Sequence, residues 1–201
     1  MKSVYNFVVT PKGNRYNNTK KIGDKELIVN TEVFNHQYVN KEAVIVSTPM
    51  IGDTDIKPGD EVMVHHNVFR RWHNVRGEEK NSRSYFYDKH YLVNYDQIFL
   101  VKYKESFLDN NWYAPLGYCF VKPIKDRDKF NTNTEKPNIG IVKYSDGTVE
   151  EGDIVGYKPN TECEFIVDGE KLYRVLSNLI TVNYEYQGDE EAYNPSWAQG
   201  R

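Results

Sequence analysis

The sequence has few cysteines and no long apolar run, and these absences exclude several classes of protein. Among 201 residues there are two cysteines, Cys119 and Cys163, too few for a disulfide framework or a four-cysteine zinc site. No stretch approaches the roughly 18 apolar residues of a membrane span, and the N-terminal residues lack the apolar core of a secretory signal. We therefore expect a cytoplasmic protein without a membrane partner.

A strong excess of one charge is missing, and so are the common catalytic motifs. Lys and Arg total 26 against 29 Asp and Glu, so the net charge of −3 argues against nucleic acid as the main partner. The sequence contains no Gly-x-Ser-x-Gly elbow, no phosphate-binding Gly-x-x-x-x-Gly-Lys loop and no His-Glu-x-x-His helix. Cys119 stands in an apolar run, which favours a buried structural thiol. We expect a protein that is not an enzyme and that needs no cofactor.

What the sequence does contain is typical of β structure. Its 16 tyrosines recur with Val, Ile and Thr in short runs, and no long window has the spacing of an amphipathic helix. Turn-forming segments such as Pro58-Gly59-Asp60, Ser145-Asp146-Gly147 and Asp168-Gly169-Glu170 separate these runs. The pattern predicts an all-β protein, a barrel or sandwich of many short strands.

One of these turns belongs to an internal repeat. Residues 56–67 read without a gap against residues 149–160, and both blocks contain a Gly-Asp pair. Two further blocks match on either side, residues 5–8 with 118–121 and residues 96–101 with 177–182. Each copy predicts a first strand, a loop, a second strand, the Gly-Asp turn, a third strand, a hairpin and a closing strand. Two copies of one small β-barrel therefore account for the length.

This strand order resembles that of the GroES-like co-chaperonins, the chaperonin-10 family, twice in tandem. The second copy is the closer match, in Gly140-Ile141-Val142, in the Val-x-x-Gly-Asp-x-Val segment at residues 149–155, and in Ser177-Asn178-Leu179-Ile180. The resemblance covers about residues 4–103 and 117–184. It implies a first barrel at residues 1–105, an apolar linker at 106–116, a second barrel at 117–184 and an acidic C-terminal tail at 185–201.

Proteins of that family act without catalysis. Their barrels form a ring that closes the chamber of a chaperonin, and a mobile loop with an aliphatic anchor makes the contact. The resemblance makes residues 11–42 the flexible chaperonin-binding loop, with Leu27, Ile28 and Val29 as its anchor. Burying these side chains on a partner would contribute about 1.5–3 kcal/mol each before the cost of ordering the loop. The alternative is that the triplet is an ordinary strand paired within its own domain.

The resemblance implies two partners, a GroEL-like chaperonin ring and further copies of this chain. Three features depart from the family: the second copy's loop at residues 125–138 has no aliphatic anchor, neither copy has the roof hairpin, and two barrels per chain do not match a sevenfold ring directly. A composition rich in Asn, Lys and Tyr suggests a virus-encoded protein. A second hypothesis is therefore a structural or assembly protein of a virus particle, in which the loop is ordered instead of mobile.

The first copy also contains an insertion at residues 67–84, rich in arginine and next to two histidines. Adjacent residues on a strand point to opposite faces, so His65 and His66 cannot readily bind one metal ion together. Charge and stacking surface for a nucleic acid are present, although Glu78 and Glu79 stand beside them; the residues concerned are Arg70, Arg71, Arg76, Arg83, Phe69 and Trp72. The favoured interpretation is a hairpin that packs on the other barrel or another subunit through Phe69 and Trp72, with Trp112 of the linker partly buried between barrels.

Overall fold

The structure is a computed structural model that describes residues 3–22, 24–28, 37–105, 111–127, 134–184 and 190–199. The chain divides into two units, unit 1 (Met1–Trp112) and unit 2 (Tyr113–Arg201). Regular structure consists of β-strands and three short 3-10 helices, and the described residues contain no α-helix. The prediction of an all-β protein is confirmed.

Unit 1 is built on a six-stranded antiparallel sheet with the strand order β10-β5-β4-β1-β9-β8. Two hairpins lie outside this sheet, β2 with β3 and β6 with β7. The strands are β1 (Phe7–Pro11), β2 (Thr19–Ile22), β3 (Lys25–Ile28), β4 (Glu42–Ser47), β5 (Glu61–Val64), β6 (Arg71–His73), β7 (Glu79–Asn81), β8 (Tyr85–Tyr87), β9 (His90–Val93) and β10 (Ile98–Lys102), with 3-10 helices η1 (His66–Val68) and η2 (Tyr95–Gln97).

Unit 2 contains a second six-stranded antiparallel sheet, ordered β14-β15-β11-β12-β13-β16. Its elements are β11 (Tyr118–Lys125), β12 (Glu135–Tyr144), β13 (Ile154–Tyr157), β14 (Cys163–Val167), β15 (Glu170–Leu176), β16 (Ile180–Tyr184) and the 3-10 helix η3 (Ser177–Leu179). The two sheets share one strand order, with β1 corresponding to β11, β4 to β12, β5 to β13, β8 to β14, β9 to β15 and β10 to β16. The sequence repeat is therefore accompanied by a repeat of topology.

The strand pairing shows that two of the three blocks aligned between the copies must be shifted by one residue. Val9 pairs with Ile45 across a register shift in unit 1, and Val121 pairs with Val142 across the same shift in unit 2. Val121 thus corresponds to Val9, which lies in the core cluster of unit 1, and not to Val8. In the closing strand Ile98 pairs with Val64 and Ile180 pairs with Tyr157, so Ile98 corresponds to Ile180 and not to Leu179. Side chains alternate along a strand, so the shared face decides the alignment.

The Gly-Asp turn is built in the same way in both units. Gly59 and Gly152 have φ of +97° and +95°, the left-handed region that favours glycine. Each glycine donates a backbone hydrogen bond of 2.8 Å to the second strand, Gly59 to Ile45 and Gly152 to Val142. Each following aspartate accepts a hydrogen bond from the backbone N–H three residues before it, which closes the turn. This block explains why residues 56–67 and 149–160 align without a gap.

Apolar side chains from the inner faces form a separate core in each unit. The core of unit 1 includes Phe7, Val9, Ile45, Val62, Val93 and Ile98, and that of unit 2 includes Val121, Val142, Val155, Tyr157 and Val175. Among the described strands, β8 and β10 do not pair with each other, nor do β14 and β16. The described strands therefore form two open sheets, whereas closed barrels were predicted.

The segment predicted as an acidic C-terminal tail belongs in part to unit 2. Ala192 forms a bridge with Ile124, and Tyr193 N–H donates to Pro123 O at 2.8 Å. The Asn194 side chain accepts from Lys171 N–H and donates to Gly169 O. Residues 190–199 are thus bound along unit 2 instead of extending beyond it; residues 185–189, 200 and 201 lie outside the described residues.

Candidate functional site

The apolar residues predicted as a chaperonin anchor lie on the β2–β3 hairpin. Lys20 pairs with Leu27, and Thr19 pairs with Ile28. The exposed fraction is 53% for Leu27 and 66% for Ile28. Val29 lies outside the described residues. Leu27 and Ile28 therefore form a strand within their own loop, as the alternative interpretation held, and yet present apolar surface to solvent.

Both ends of the predicted loop at residues 11–42 are attached to the rest of unit 1. Tyr16 forms a bridge with Val39, and both side chains are buried. The buried Asn40 side chain donates to Lys12 O and to Asn14 O, each at 2.8 Å. Its backbone N–H donates to Arg15 O. Buried hydrogen bonds and core side chains therefore join the two ends of the predicted loop, and its mobility stays a prediction.

Arg15 connects the base of this loop to the insertion at residues 67–84. Its guanidinium donates from Nε to Phe69 O at 2.5 Å, from Nη1 to Asn81 Oδ1 at 2.7 Å and from Nη2 to Arg70 O at 3.2 Å. The guanidinium is partly removed from water, and this burial lowers the pKa of Arg15. A guanidinium presents several donors in a fixed plane, so one side chain can hold three acceptors on the insertion.

A second contact joins the same two segments. Arg71 N–H donates to the Tyr16 hydroxyl at 2.7 Å, and the Arg71 guanidinium carbon lies 4.8 Å from the centre of the Tyr16 ring. Arg71 also forms an ion pair of 3.0 Å with Glu79. Loop base and insertion are thus fixed together, which sequence reasoning missed because the partners lie more than 50 residues apart in the chain.

The three aromatic residues predicted as contacts occupy different environments. Phe69 is fully buried in the core of unit 1, with its ring edge-on to Tyr91 at 4.8 Å, so it has no surface to offer another subunit. Trp72 is 45% exposed, and its Nε1 donates to Asn81 O at 3.1 Å. Trp112 is 2% exposed, more deeply buried than predicted, and the Lys102 ammonium lies 5.7 Å from the centre of its ring. Trp72 is therefore the one of the three with surface for a partner.

Trp72 borders an open groove of about 640 Å³ in unit 1, which we call the Arg-Trp groove. The insertion supplies most of its lining, and η2 supplies one further side chain; the lining residues are Asn67, Arg70, Trp72, Ser82, Arg83, Ser84 and Gln97. The sequence places the two arginines and the tryptophan in one segment, but it does not show that Gln97 joins them.

Unit 2 contains a buried ion cluster around Lys171. Its ammonium donates to Glu135 Oε1 at 2.6 Å and lies 3.4 Å from Glu164 Oε2, while the Tyr173 hydroxyl donates to Glu135 Oε2 at 2.8 Å. Burial by itself lowers the pKa of Lys171, but the hydrogen bonds to Glu135 and Tyr173 outweigh it, and the pKa is raised overall. The cluster thus links side chains of β12, β14 and β15 within unit 2.

A second polar network in unit 2 surrounds Cys119, which is buried as predicted. Its Sγ lies 3.4 Å from Ser177 Oγ, and that hydroxyl donates to Asp146 at 2.7 Å. Asp146 also accepts from Gly117 N–H and Thr148 N–H. Burial raises the pKa of Asp146, but these hydrogen bonds outweigh it and the pKa is lowered overall. Through these hydrogen bonds, the Asp146 carboxylate stabilises the turns that surround the Cys119 thiol.

The described residues lack two other kinds of feature. They contain no group of three or more His, Cys, Asp or Glu side chains placed to hold a metal ion. They also contain no helix that is long and apolar enough to cross a membrane. A comparison with protein-family models and a search of curated proteins both find no match for this chain.

Proposed function

We propose that this protein is a co-chaperonin, a ring-forming lid that binds a GroEL-like chaperonin through the loop at residues 11–42 and assists protein folding. The observation that carries the proposal is the β2–β3 hairpin, which exposes Leu27 and Ile28 on opposite faces of β3 while buried contacts join the two ends of the loop. Exposed aliphatic side chains on a projecting hairpin are suited to insertion into an apolar groove on a partner.

The energetics fit a contact repeated around a ring. Burying Leu27 and Ile28 contributes about 1.5–3 kcal/mol each to the binding free energy. For a single chain, the loss of translational and rotational freedom on association offsets most of this contribution. Several chains bound together would add their contacts at high effective concentration. The anchored base also reduces the number of residues that must be ordered on binding, because Asn40 and Arg15 already hold both ends.

The topology supports the resemblance on which the proposal depends. Both units have the Gly-Asp turn between the second and third strands and a closing strand that pairs with the third strand. In this proposal several chains assemble into a ring, as the barrels of GroES-like proteins do. In this proposal unit 1 makes the chaperonin contact, and unit 2 serves the assembly.

The test is capture of the purified full chain by a bacterial chaperonin with and without nucleotide. We expect nucleotide-dependent capture of the wild type and its loss in Leu27→Ala/Ile28→Ala/Val29→Ala. The matched control is Met50→Ala/Ile51→Ala, which removes two other apolar side chains of unit 1 that are exposed by 64% and 58%. Capture should survive in this control.

A folded, oligomeric wild type that no chaperonin captures would contradict the proposal. The second hypothesis, a structural protein of a virus particle, would then be preferred. Capture that is lost equally in the Met50→Ala/Ile51→Ala control would contradict the assignment of the hairpin as the contact, while leaving the chaperonin as partner.

A further inference from the structure

The Arg-Trp groove carries an inference that goes beyond the proposed function. Its lining combines two guanidinium groups, one half-exposed indole, two side-chain amides and two serine hydroxyls. Arg70 and Arg83 supply positive charge, and Asn67 and Gln97 supply groups that both donate and accept hydrogen bonds. None of these groups takes part in the chaperonin contact proposed for the β2–β3 hairpin.

The groove is held in place by the surrounding structure before any ligand binds. The Trp72 indole is fixed by its Nε1 bond to Asn81 O, and the Ser82 hydroxyl donates to Val68 O at 2.6 Å. Arg70 follows the buried Phe69, and its carbonyl accepts a bond from Arg15. The Gln97 Oε1 accepts from Asn94 N–H, which fixes the amide. Preorganised side chains lose little entropy on binding, so the groove is suited to a ligand.

The two acidic residues of the insertion, Glu78 and Glu79, lie outside the groove. Glu78 pairs with Lys80 at 3.0 Å, and Glu79 pairs with Arg71 at 3.0 Å. The hydrogen bonds from Lys80 and Asn74 lower the pKa of Glu78, so its charge is already stabilised within the hairpin. Both acidic residues are thus engaged by cations that do not line the groove, and neither of them lines it.

We propose that the Arg-Trp groove binds single-stranded nucleic acid, with a base stacked on Trp72 and the adjoining phosphates at Arg70 and Arg83. Stacking on an aromatic side chain and phosphate contacts from arginine are the two general components of single-strand binding. Asn67 and Gln97 are suited to the edges of bases, because an amide can donate and accept at the same time. An acidic peptide would use the arginines but would leave the indole and the amides without a role.

The test measures anisotropy of a labelled oligothymidylate of about 12 nucleotides with the full-length protein, at about 50 and about 200 mM salt. We expect Trp72→Ala to weaken binding by about 5- to 150-fold, the effect of one lost stacking contact, and Trp72→Phe to restore part of it. Arg83→Ala should weaken binding and reduce the salt slope by about 0.7, one phosphate contact on a single strand. Arg76→Ala is the matched control, since it removes one exposed arginine of the same hairpin that does not line the groove.

Three competitors decide the class of ligand. Excess unlabelled oligothymidylate should displace the probe, whereas an acidic peptide of equal charge and a mononucleotide such as ATP should displace it only weakly. Equal displacement by ATP would overturn the single-strand proposal in favour of a nucleotide site, and equal displacement by the peptide would overturn it in favour of an acidic partner. Absence of binding at the lower salt, or equal losses in Trp72→Ala and Arg76→Ala, would overturn the proposal as well.

Discussion

Unit 1 and unit 2 have the same strand order but differ in the connections between corresponding strands. Residues 12–41 connect β1 to β4 in unit 1, whereas residues 126–134 connect β11 to β12 in unit 2. Residues 65–84 connect β5 to β8 in unit 1 and contain β6, β7 and η1, whereas residues 158–162 connect β13 to β14. A sheet accepts added residues most easily at its connections. The two long connections of unit 1 are therefore the features that need a functional explanation.

The two units also differ in what surrounds the common sheet. In unit 1 the two long connections are joined by Arg15 and by the contact of Arg71 with Tyr16. In unit 2 the Lys171 cluster and the segment at residues 190–199 lie on the corresponding sheet. Unit 2 thus uses its additional residues for packing, while unit 1 uses them to hold a hairpin and a groove that are open to solvent. This difference places both proposed functions in unit 1.

The largest effect is expected at the aspartate of the Gly-Asp turn. Asp60 is 3% exposed and accepts from Lys57 N–H at 2.7 Å and Lys104 N–H at 2.9 Å, whereas Asp153 is less buried and accepts from Glu150 N–H and the Asn183 side chain. Asp60→Ala should lower the free energy of unfolding by about 3 kcal/mol and Asp153→Ala by about 1 kcal/mol. Chemical denaturation with hydrogen exchange read separately for each unit checks this. Equal losses of unfolding free energy in the two variants would contradict the prediction that Asp60 stabilises its turn more than Asp153 does.

The next effect concerns the coupling of the two long connections. Arg15→Lys keeps the charge but cannot reach Phe69 O, Arg70 O and Asn81 at once, so unit 1 should lose about 2 kcal/mol. Hydrogen exchange should increase within residues 65–84, while unit 2 exchanges as in the wild type. Arg174→Lys in unit 2 is the matched control. Unchanged exchange in the insertion would contradict a coupling through Arg15.

A smaller effect should distinguish two corresponding positions in the second strand. Ala43 pairs with Pro11 in unit 1, and Gly140 pairs with Pro123 in unit 2. A Cβ at Gly140 would lie 2.8 Å from Lys122 O and 2.9 Å from Val121 Cβ. Gly140→Ala should therefore destabilise unit 2 by about 1–3 kcal/mol through overpacking, and Ala43→Gly should destabilise unit 1 by about 0.5–1 kcal/mol through chain entropy. A stabilised Gly140→Ala variant would show that the sheet can shift there.

The sequence predicted the all-β class and the Gly-Asp turns, because both depend on local properties. Gly59 and Gly152 need positive φ, and each is followed by an aspartate that closes the turn, so the aligned block is correct without a gap. The alignment of the first strand was shifted by one residue because it matched Phe7 with Phe120. These two residues are both phenylalanine, but they occupy different positions in the strand pairing of their units. For the alignment of two strands, a shared residue type is weaker evidence than the face of the sheet on which the side chain lies.

The candidate site was only partly predictable, because its contacts span long distances in the chain. Leu27, Ile28 and Trp72 could be chosen as apolar residues among polar neighbours. Nothing in the sequence shows that Arg15 reaches Phe69, or that Gln97 lines the groove with Trp72. The C-terminal segment has the composition of a tail, and its attachment depends on backbone pairing at Ala192 and the side chain of Asn194, which composition does not reveal.

The smallest expected effect is a pH dependence of the stability of unit 2. The pKa of Lys171 is raised in the folded state, so its ion cluster contributes stability below the unfolded lysine pKa of about 10.4 and loses it as the pH rises further. The stability difference between wild type and Lys171→Met should therefore be constant from about pH 7 to about pH 9 and fall by on the order of 1 kcal/mol above about pH 10.4. Burial raises the pKa of Tyr173 to about 12 against the opposing effect of Lys171, so both proteins should carry Tyr173→Phe to remove this titration from the difference. Chemical denaturation of Trp72→Phe/Trp112→Phe versions of both proteins, followed by emission of Trp197, whose ring centre lies 5.8 Å from Lys171 Nζ, measures the change within unit 2. A difference that grows with pH would reverse the sign and contradict the charged state assigned to Lys171.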